Sequence, residues 1–151
     1  MKWLFSLIIF FFVFTDFKAS SQCNEFLVDS CIATCRNVTY LRDFSVILPK
    51  KKKKQQKPPV TTISVLLNKG TIYRFNICND TLNTEELNLF LSDDFKSYGG
   101  NKKDGAVYPS FDFKCRKTQV YYLYATFNGF EGCSTIILSL VKKFNVYLDS
   151  R

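Results

Sequence analysis

The sequence predicts a mainly β protein: an antiparallel β-sandwich or jelly-roll-like fold with one short, cysteine-rich N-terminal helix. Three observations carry this. Seven short runs of β-formers recur along the chain, several with apolar residues at alternate positions. Turn residues punctuate them, and no later segment has helical periodicity. Finally, cysteines near the N-terminus repeat at four-residue spacing, which lines up one face of a helix.

The elements follow in order. Lys2 precedes an apolar run from Leu4 to Phe14, interrupted only by Ser6, and a polar stretch from Thr15 to Ser21 follows. Eleven helical residues rise about 16 Å, well short of the roughly 30 Å of a bilayer core. Residues 1–21 therefore read as a signal peptide rather than an integral membrane span. Ala19 and Ser21 are the small residues before a cut at Gln22. Gln22 is too large to precede a lipid-modified Cys23, so the expectation is a secreted, extracellular or periplasmic protein. Residues 22–151 then form a single disulfide-stabilised domain.

All six cysteines, Cys23, Cys31, Cys35, Cys78, Cys115 and Cys133, lie in that domain. An even number in an oxidising compartment points to disulfides, and the absence of any CxxC pair or His argues against zinc. Cys23, Leu27, Cys31 and Cys35 form the helical stripe; Cys78, Cys115 and Cys133 fall near strand ends. The expectation is three helix-to-strand bridges, with the connectivity open. A redox-active or metal-binding thiol is the alternative, and only scattered lysines are available to tune one.

The strands begin with Tyr40–Leu48, stopped by Pro49. Val60–Leu67 follows Pro58-Pro59, and Asn68-Lys69-Gly70 leads into Thr71–Cys78, where Tyr73, Phe75 and Ile77 share one face. The tight Gly-containing loop predicts that these two runs pair as a hairpin. Leu87, Leu89 and Leu91 alternate next, and Asp93–Tyr108 reads as a polar, Gly-rich connection. Phe111, Phe113 and Cys115 alternate again. Val120–Phe127, a turn at Asn128-Gly129, and Ser134–Val146 complete the set.

Composition removes whole classes of chemistry. The chain has no His, so Ser-His-Asp and Cys-His hydrolases and His-ligated metal sites are excluded. Its only Trp and Met, Trp3 and Met1, leave with the signal peptide. No cofactor is expected. The net charge of +8 is unevenly placed: Lys2 and Lys18 less Asp16 account for +1 in the signal, and six lysines in the loop 49–59 account for +6.

Several strand motifs resemble the bacterial pre-peptidase C-terminal domains. Gly70-Thr71-Ile72-Tyr73-Arg74-Phe75 is similar to their G-x-x-Y-x-F opening, and Leu87-Asn88-Leu89-Phe90-Leu91-Ser92-Asp93 to their L-x-L-x-L-x-D strand and turn. Phe111-Asp112-Phe113 with Gln119-Val120-Tyr121-Tyr122-Leu123 is similar to their F-x-F … G-x-Y-Y-L pair, Gln119 replacing the glycine. The resemblance covers about Val60 to Val141 and implies an exported, non-catalytic β-sandwich module; the cysteine-rich helix is not part of it.

Candidate functional residues are few. Lys50, Lys51, Lys52, Lys53, Lys54 and Lys57 form a self-repelling, solvated run suited to an anionic surface, an acidic glycan or nucleic acid; the bland reading is a soluble spacer loop. Glu85, Glu86, Asp93, Asp94, Asp104, Asp112 and Glu131 supply carboxylates for a hydrolase pair, but most flank turns, where acids are ordinary. Asp93, Asp94, Asn101 and Asp104 share a loop that could offer oxygen ligands to Ca²⁺, with Lys96, Lys102 and Lys103 opposing it. Tyr73, Tyr108, Tyr121, Tyr122 and Tyr124 could form a sugar-stacking platform, although alternation commits some of them to the core. Asn37-Val38-Thr39 and Asn79-Asp80-Thr81 fit the N-glycosylation pattern. The expectation is a non-catalytic interaction or structural module whose partner is an anionic surface, a glycan or another exported protein. A polyanion-binding lysine loop is the second reading and a carboxylate-based hydrolase the third.

Overall fold

A computed structural model describes residues 25–48, 57–80, 86–127 and 132–145. The signal-peptide segment, Cys23, Lys50–Lys54 and the Asn128-Gly129 turn lie outside the described residues. Among the described residues one helix, α1 (Glu25–Thr34), is followed by ten strands: β1 (Thr39–Leu48), β2 (Thr61–Leu67), β3 (Thr71–Asn79), β4 (Leu87–Ser92), β5 (Ser97–Gly100), β6 (Lys102–Lys103), β7 (Ala106–Val107), β8 (Ser110–Cys115), β9 (Gln119–Phe127) and β10 (Gly132–Lys143).

Eight strands form two antiparallel four-stranded sheets, with spatial orders β1-β10-β3-β8 (sheet A) and β2-β9-β4-β5 (sheet B). The strand pairs are nested. β4 meets β5, β3 meets β8, β2 meets β9 and β1 meets β10, each pair enclosing the one before it. A long hairpin wound in this way is a jelly roll, matching the predicted class.

Alternation sets the core. Phe75 and Ile77 of β3, Leu87, Leu89 and Leu91 of β4, Tyr121, Leu123 and Phe127 of β9, and Ile136 and Leu138 of β10 all face the space between the sheets. Phe75 stacks on Phe111 with ring centres 5.0 Å apart, and Phe113 meets Tyr121 edge-on at 5.1 Å. Both geometries satisfy the ring quadrupoles while excluding water.

Nested pairing overturns the predicted β2–β3 hairpin. β2 pairs with β9 in sheet B, and β3 pairs with β10 and β8 in sheet A. The Asn68-Lys69-Gly70 turn instead carries the chain from one layer to the other. Gly70 takes φ +80°, its N–H donates to the Cys115 carbonyl at 2.9 Å, and its carbonyl accepts from Phe144 N–H at 2.7 Å. Alternation could not separate the cases, because each strand needs only one apolar face whichever strand lies beside it.

The predicted polar connection Asp93–Tyr108 is also corrected. It contains β5 and the small β6–β7 hairpin, whose turn Asp104-Gly105 has φ +52° and +84°. Two consecutive positive φ values are those of a type I′ turn, for which Asp-Gly is a favoured pair.

Helix α1 lies against β10 and β3 on the outer side of sheet A. Leu27, Cys31 and Cys35 carry its sheet-facing stripe: Cys31 is buried, Leu27 and Cys35 half-buried, and Glu25, Phe26, Asp29 and Ser30 exposed. The helix stops where Cys35 N–H donates to Ile32 O at 3.0 Å, and Asn37 then enters the left-handed region at φ +57°.

Candidate binding face

The two outer faces of the sandwich differ. On sheet A, α1 is fastened by a Cys31–Cys78 disulfide with a Cα–Cα distance of 5.8 Å. Beside it Thr135, Ile137 and Ser139 of β10 are buried although they point away from the core. Cys133 is also disulfide-bonded.

Among the described residues one helix-to-strand bridge is therefore present as predicted, but two cysteines stay unbridged and the expectation of three is not met. Cys35 and Cys115 are free thiols. Cys115 shares the inward parity of Phe113 and belongs to the core between the sheets, while Cys35 follows α1 on the opposite side of sheet A. A full layer of backbone separates them, well beyond disulfide reach. Cys115 instead donates to Lys117 O at 3.2 Å and contacts the Tyr121 hydroxyl at 3.7 Å. Burial pushes the Cys35 thiol pKa up, so neither its charge state nor its partners mark it as a nucleophile.

On sheet B no element among the described residues lies over the outer face. Register places Leu66 beside Val120; Ser64, Tyr122 and Ser92 in one row; and Thr62, Tyr124 and Phe90 in the next. Leu66 is 66% exposed, Val120 46%, and Phe90 and Tyr124 39% each. Tyr122 is half-buried between them. None of these eight side chains carries a charge. The surface consists of three aromatic rings flanked by serine and threonine hydroxyls, and it ends in an aliphatic pair. Such a surface covers apolar ring faces and supplies hydroxyl donors and acceptors beside them, without orienting any ion.

The structure divides the predicted tyrosines by parity. Tyr121 and Tyr73 are core residues, 1% and 4% exposed, and their hydroxyls are used internally: Tyr121 donates to Lys117 O at 2.9 Å, and Tyr73 accepts from Asn68 N–H at 2.9 Å. Tyr122 and Tyr124 lie on the open face, while Tyr108 is exposed in the segment after β7. Phe90, Leu66 and Val120 were not singled out from the sequence. The signal for them was present in the outward positions of strands whose inward positions are leucine, valine or tyrosine.

Glu85 and Glu131 lie outside the described residues, and the structure engages Asp112 and Asp93 in separate bonds. Asp112 is held by Arg74, Nε to Oδ1 at 2.6 Å and a terminal guanidinium nitrogen to Oδ2 at 2.8 Å. Asp93 accepts from the Tyr98 hydroxyl at 2.6 Å, Gln119 Nε2 at 2.7 Å, and the N–H groups of Phe95 and Lys96 at 2.9 and 2.7 Å. These bonds, led by the Tyr98 hydroxyl, hold its carboxyl well below the usual range, and the same contact pushes Tyr98 up to about 12. Asp93 is thus a structural clasp on the β4–β5 turn. Asn101, proposed above as a cation ligand, is 1% exposed and bonds only backbone: it accepts from Leu89 N–H at 2.7 Å and donates to Leu87 O at 2.8 Å and Tyr108 O at 3.2 Å. Among the described residues no three Cys, Asp or Glu side chains could hold a metal together.

Lys57 is exposed ahead of β2, and the other five lysines of the run lie outside the described residues. Of the sequons, Asn37 is exposed, whereas Asn79 is half-buried and accepts from Leu87 N–H at 3.3 Å. No helix among the described residues is long and apolar enough to cross a membrane. Against known protein families, curated proteins and solved structures, the chain finds no match in any of the three comparisons.

Proposed function

We propose that this protein is an exported, non-catalytic β-sandwich module that binds a neutral glycan through the outer face of sheet B. The observation that carries the reading is the contrast between the two outer faces: one lies under a disulfide-tethered helix, and the other presents exposed Phe90 and Tyr124 beside half-buried Tyr122, with no charge on these side chains. Isolated exposed apolar residues are ordinary, but a contiguous apolar surface on a folded domain marks a contact site. A glycan fits it better than an apolar peptide, because hydroxyl side chains stand in both aromatic rows.

Export is supported by the N-terminal signal pattern and by the Cys31–Cys78 bridge, which persists in an oxidising compartment. The absence of His and the engagement of Asp93 and Asp112 in structural bonds support a non-catalytic role. The pre-peptidase-like strand motifs point the same way.

Affinity electrophoresis through gels containing soluble neutral polysaccharides tests the reading. Retardation of the wild-type protein that disappears in Tyr124→Ala and Phe90→Ala is the expected result. No retardation in any neutral polysaccharide, or retardation unchanged in the double variant, would overturn it. The lysine run is the competing reading, and it predicts binding to heparin or anionic vesicles that falls steeply with salt. Replacing the six lysines by Gln abolishes that binding if it exists and leaves neutral-glycan binding intact.

A further inference from the structure

Four strands end the two sheets: β1 and β8 in sheet A, β2 and β5 in sheet B. An edge strand presents unpaired N–H and C=O groups, and folded proteins guard such edges with charges, bulges, prolines or very short strands. Three of the four are guarded here. β1 carries Arg42 and Asp43 and a register shift between Tyr40 and Arg42. β8 carries Asp112 and Lys114. β5 has four residues, of which Gly99 and Gly100 are two.

β2 has no such device. Thr61-Thr62-Ile63-Ser64-Val65-Leu66-Leu67 contains no charge, proline or glycine, and four of its seven residues, Thr61, Thr62, Ile63 and Val65, are β-branched. It pairs with β9 in unbroken register at all seven positions, so its free side is equally regular. Among the described residues no strand or loop pairs with that side. Leu66 on the strand and Val60 just before it are 66% and 57% exposed.

We infer that β2 is a self-association edge. A second copy of the chain adds its own β2 in antiparallel sense, and sheet B becomes one continuous eight-stranded sheet. The occupant is a second copy because the strand complements itself. A two-fold axis at Ser64 sets Ser64 against Ser64, Ile63 against Val65, Thr62 against Leu66 and Thr61 against Leu67. Inward residues meet inward residues, outward meet outward, and no like charges are opposed.

The sense of pairing also follows from charge. The lysine run ends at Lys57, just before the strand, so parallel pairing would bring two such runs side by side. Antiparallel pairing sends them to opposite ends of the seven-residue strand, about 20 Å apart at about 3.4 Å per residue, against a screening length of about 8 Å at physiological salt. The two open faces then merge into one surface carrying both sets of Phe90, Tyr122 and Tyr124. The inference stands on the strand edge alone and does not require that the face bind a glycan.

Sedimentation equilibrium on the full exported chain, produced with its disulfides oxidised, tests it. The wild type should dimerise in the micromolar range. Ser64 is exposed, so Ser64→Lys and Ser64→Glu should keep the wild-type circular dichroism and melting transition. Each alone places like charges across the two-fold and should raise the dimer dissociation constant at least tenfold. An equimolar mixture of the two should restore dimers, whereas Lys114→Glu on β8 should change nothing. A wild type that stays monomeric at several hundred micromolar overturns the proposal. So does a dimer indifferent to charge at position 64, or a mixture that fails to recover.

Discussion

Asp93 accepts four hydrogen bonds at the β4–β5 turn, and its depressed pKa makes that turn a source of acid sensitivity. A carboxyl that binds its proton more weakly when folded stabilises the fold above its unfolded pKa, near 4, and loses that contribution as pH falls through the lower folded value. Asp93→Asn should therefore lower the melting temperature at pH 7 and flatten its decline below pH 4, measured by thermal melts across pH. Tyr98 has the opposite dependence. Its raised pKa gives stability below pH 10 that is lost as pH climbs toward about 12. The free thiols differ by accessibility. Iodoacetamide followed by peptide mass spectrometry should label half-buried Cys35 slowly in the native protein, and buried Cys115 only after unfolding without reductant. The cysteine stripe was legible in the sequence, because i, i+4 spacing places side chains on one helix face. That Cys115 would remain a free thiol was not, since its partner could be judged only once the helix had been assigned to a side of the sheet.

Among the elements, α1 depends most on a single bond. The Cys31–Cys78 bridge spans a sequence separation of 47 residues, and loop-closure entropy for a loop of that size amounts to about 4 kcal/mol. Cys31→Ser with Cys78→Ser should lower stability in urea by up to about that amount. Amide exchange in α1 should rise before exchange in the sheets does. β4 and β5 meet more closely than a side chain permits: a methyl on Gly100 would run into the Leu89 carbonyl and the Phe90 backbone. Gly100→Ala should consequently destabilise by about 1–3 kcal/mol, the usual cost of overpacking, and urea unfolding would register it. Strand existence was legible from alternation, and seven of the strands fall where alternation placed them. The β6–β7 hairpin was also legible in principle through Asp104-Gly105. The lysines that make up β6 disguised it as loop.

At the scale of the whole molecule, nested pairing joins residues far apart in sequence: Thr39 stands opposite Leu140, and Thr61 opposite Ala125. Loops of that length must close before their contacts form, so refolding should take milliseconds to seconds, as in other proteins dominated by non-local β pairing. Stopped-flow fluorescence of the tyrosines would measure it. The core that results joins both sheets. Leu123, fully buried among their inward residues, should cost about 2–5 kcal/mol when truncated to alanine. The open face is a product of the same scale, because Phe90, Tyr122 and Tyr124 come from two strands that adjoin only when β9 enters sheet B between β2 and β4.

By itself the sequence determined the class of secondary structure, the inward and outward residue sets of most strands, the helical cysteine stripe and the exclusion of His-dependent chemistry. Each depends on spacing along the chain or on composition, which local geometry reads directly. Tertiary structure alone decided which strands are neighbours, which cysteines meet, which outer face is covered and which edge is bare. A strand with one apolar face pairs equally well with several others, so pairing is settled only when the whole set closes around one core.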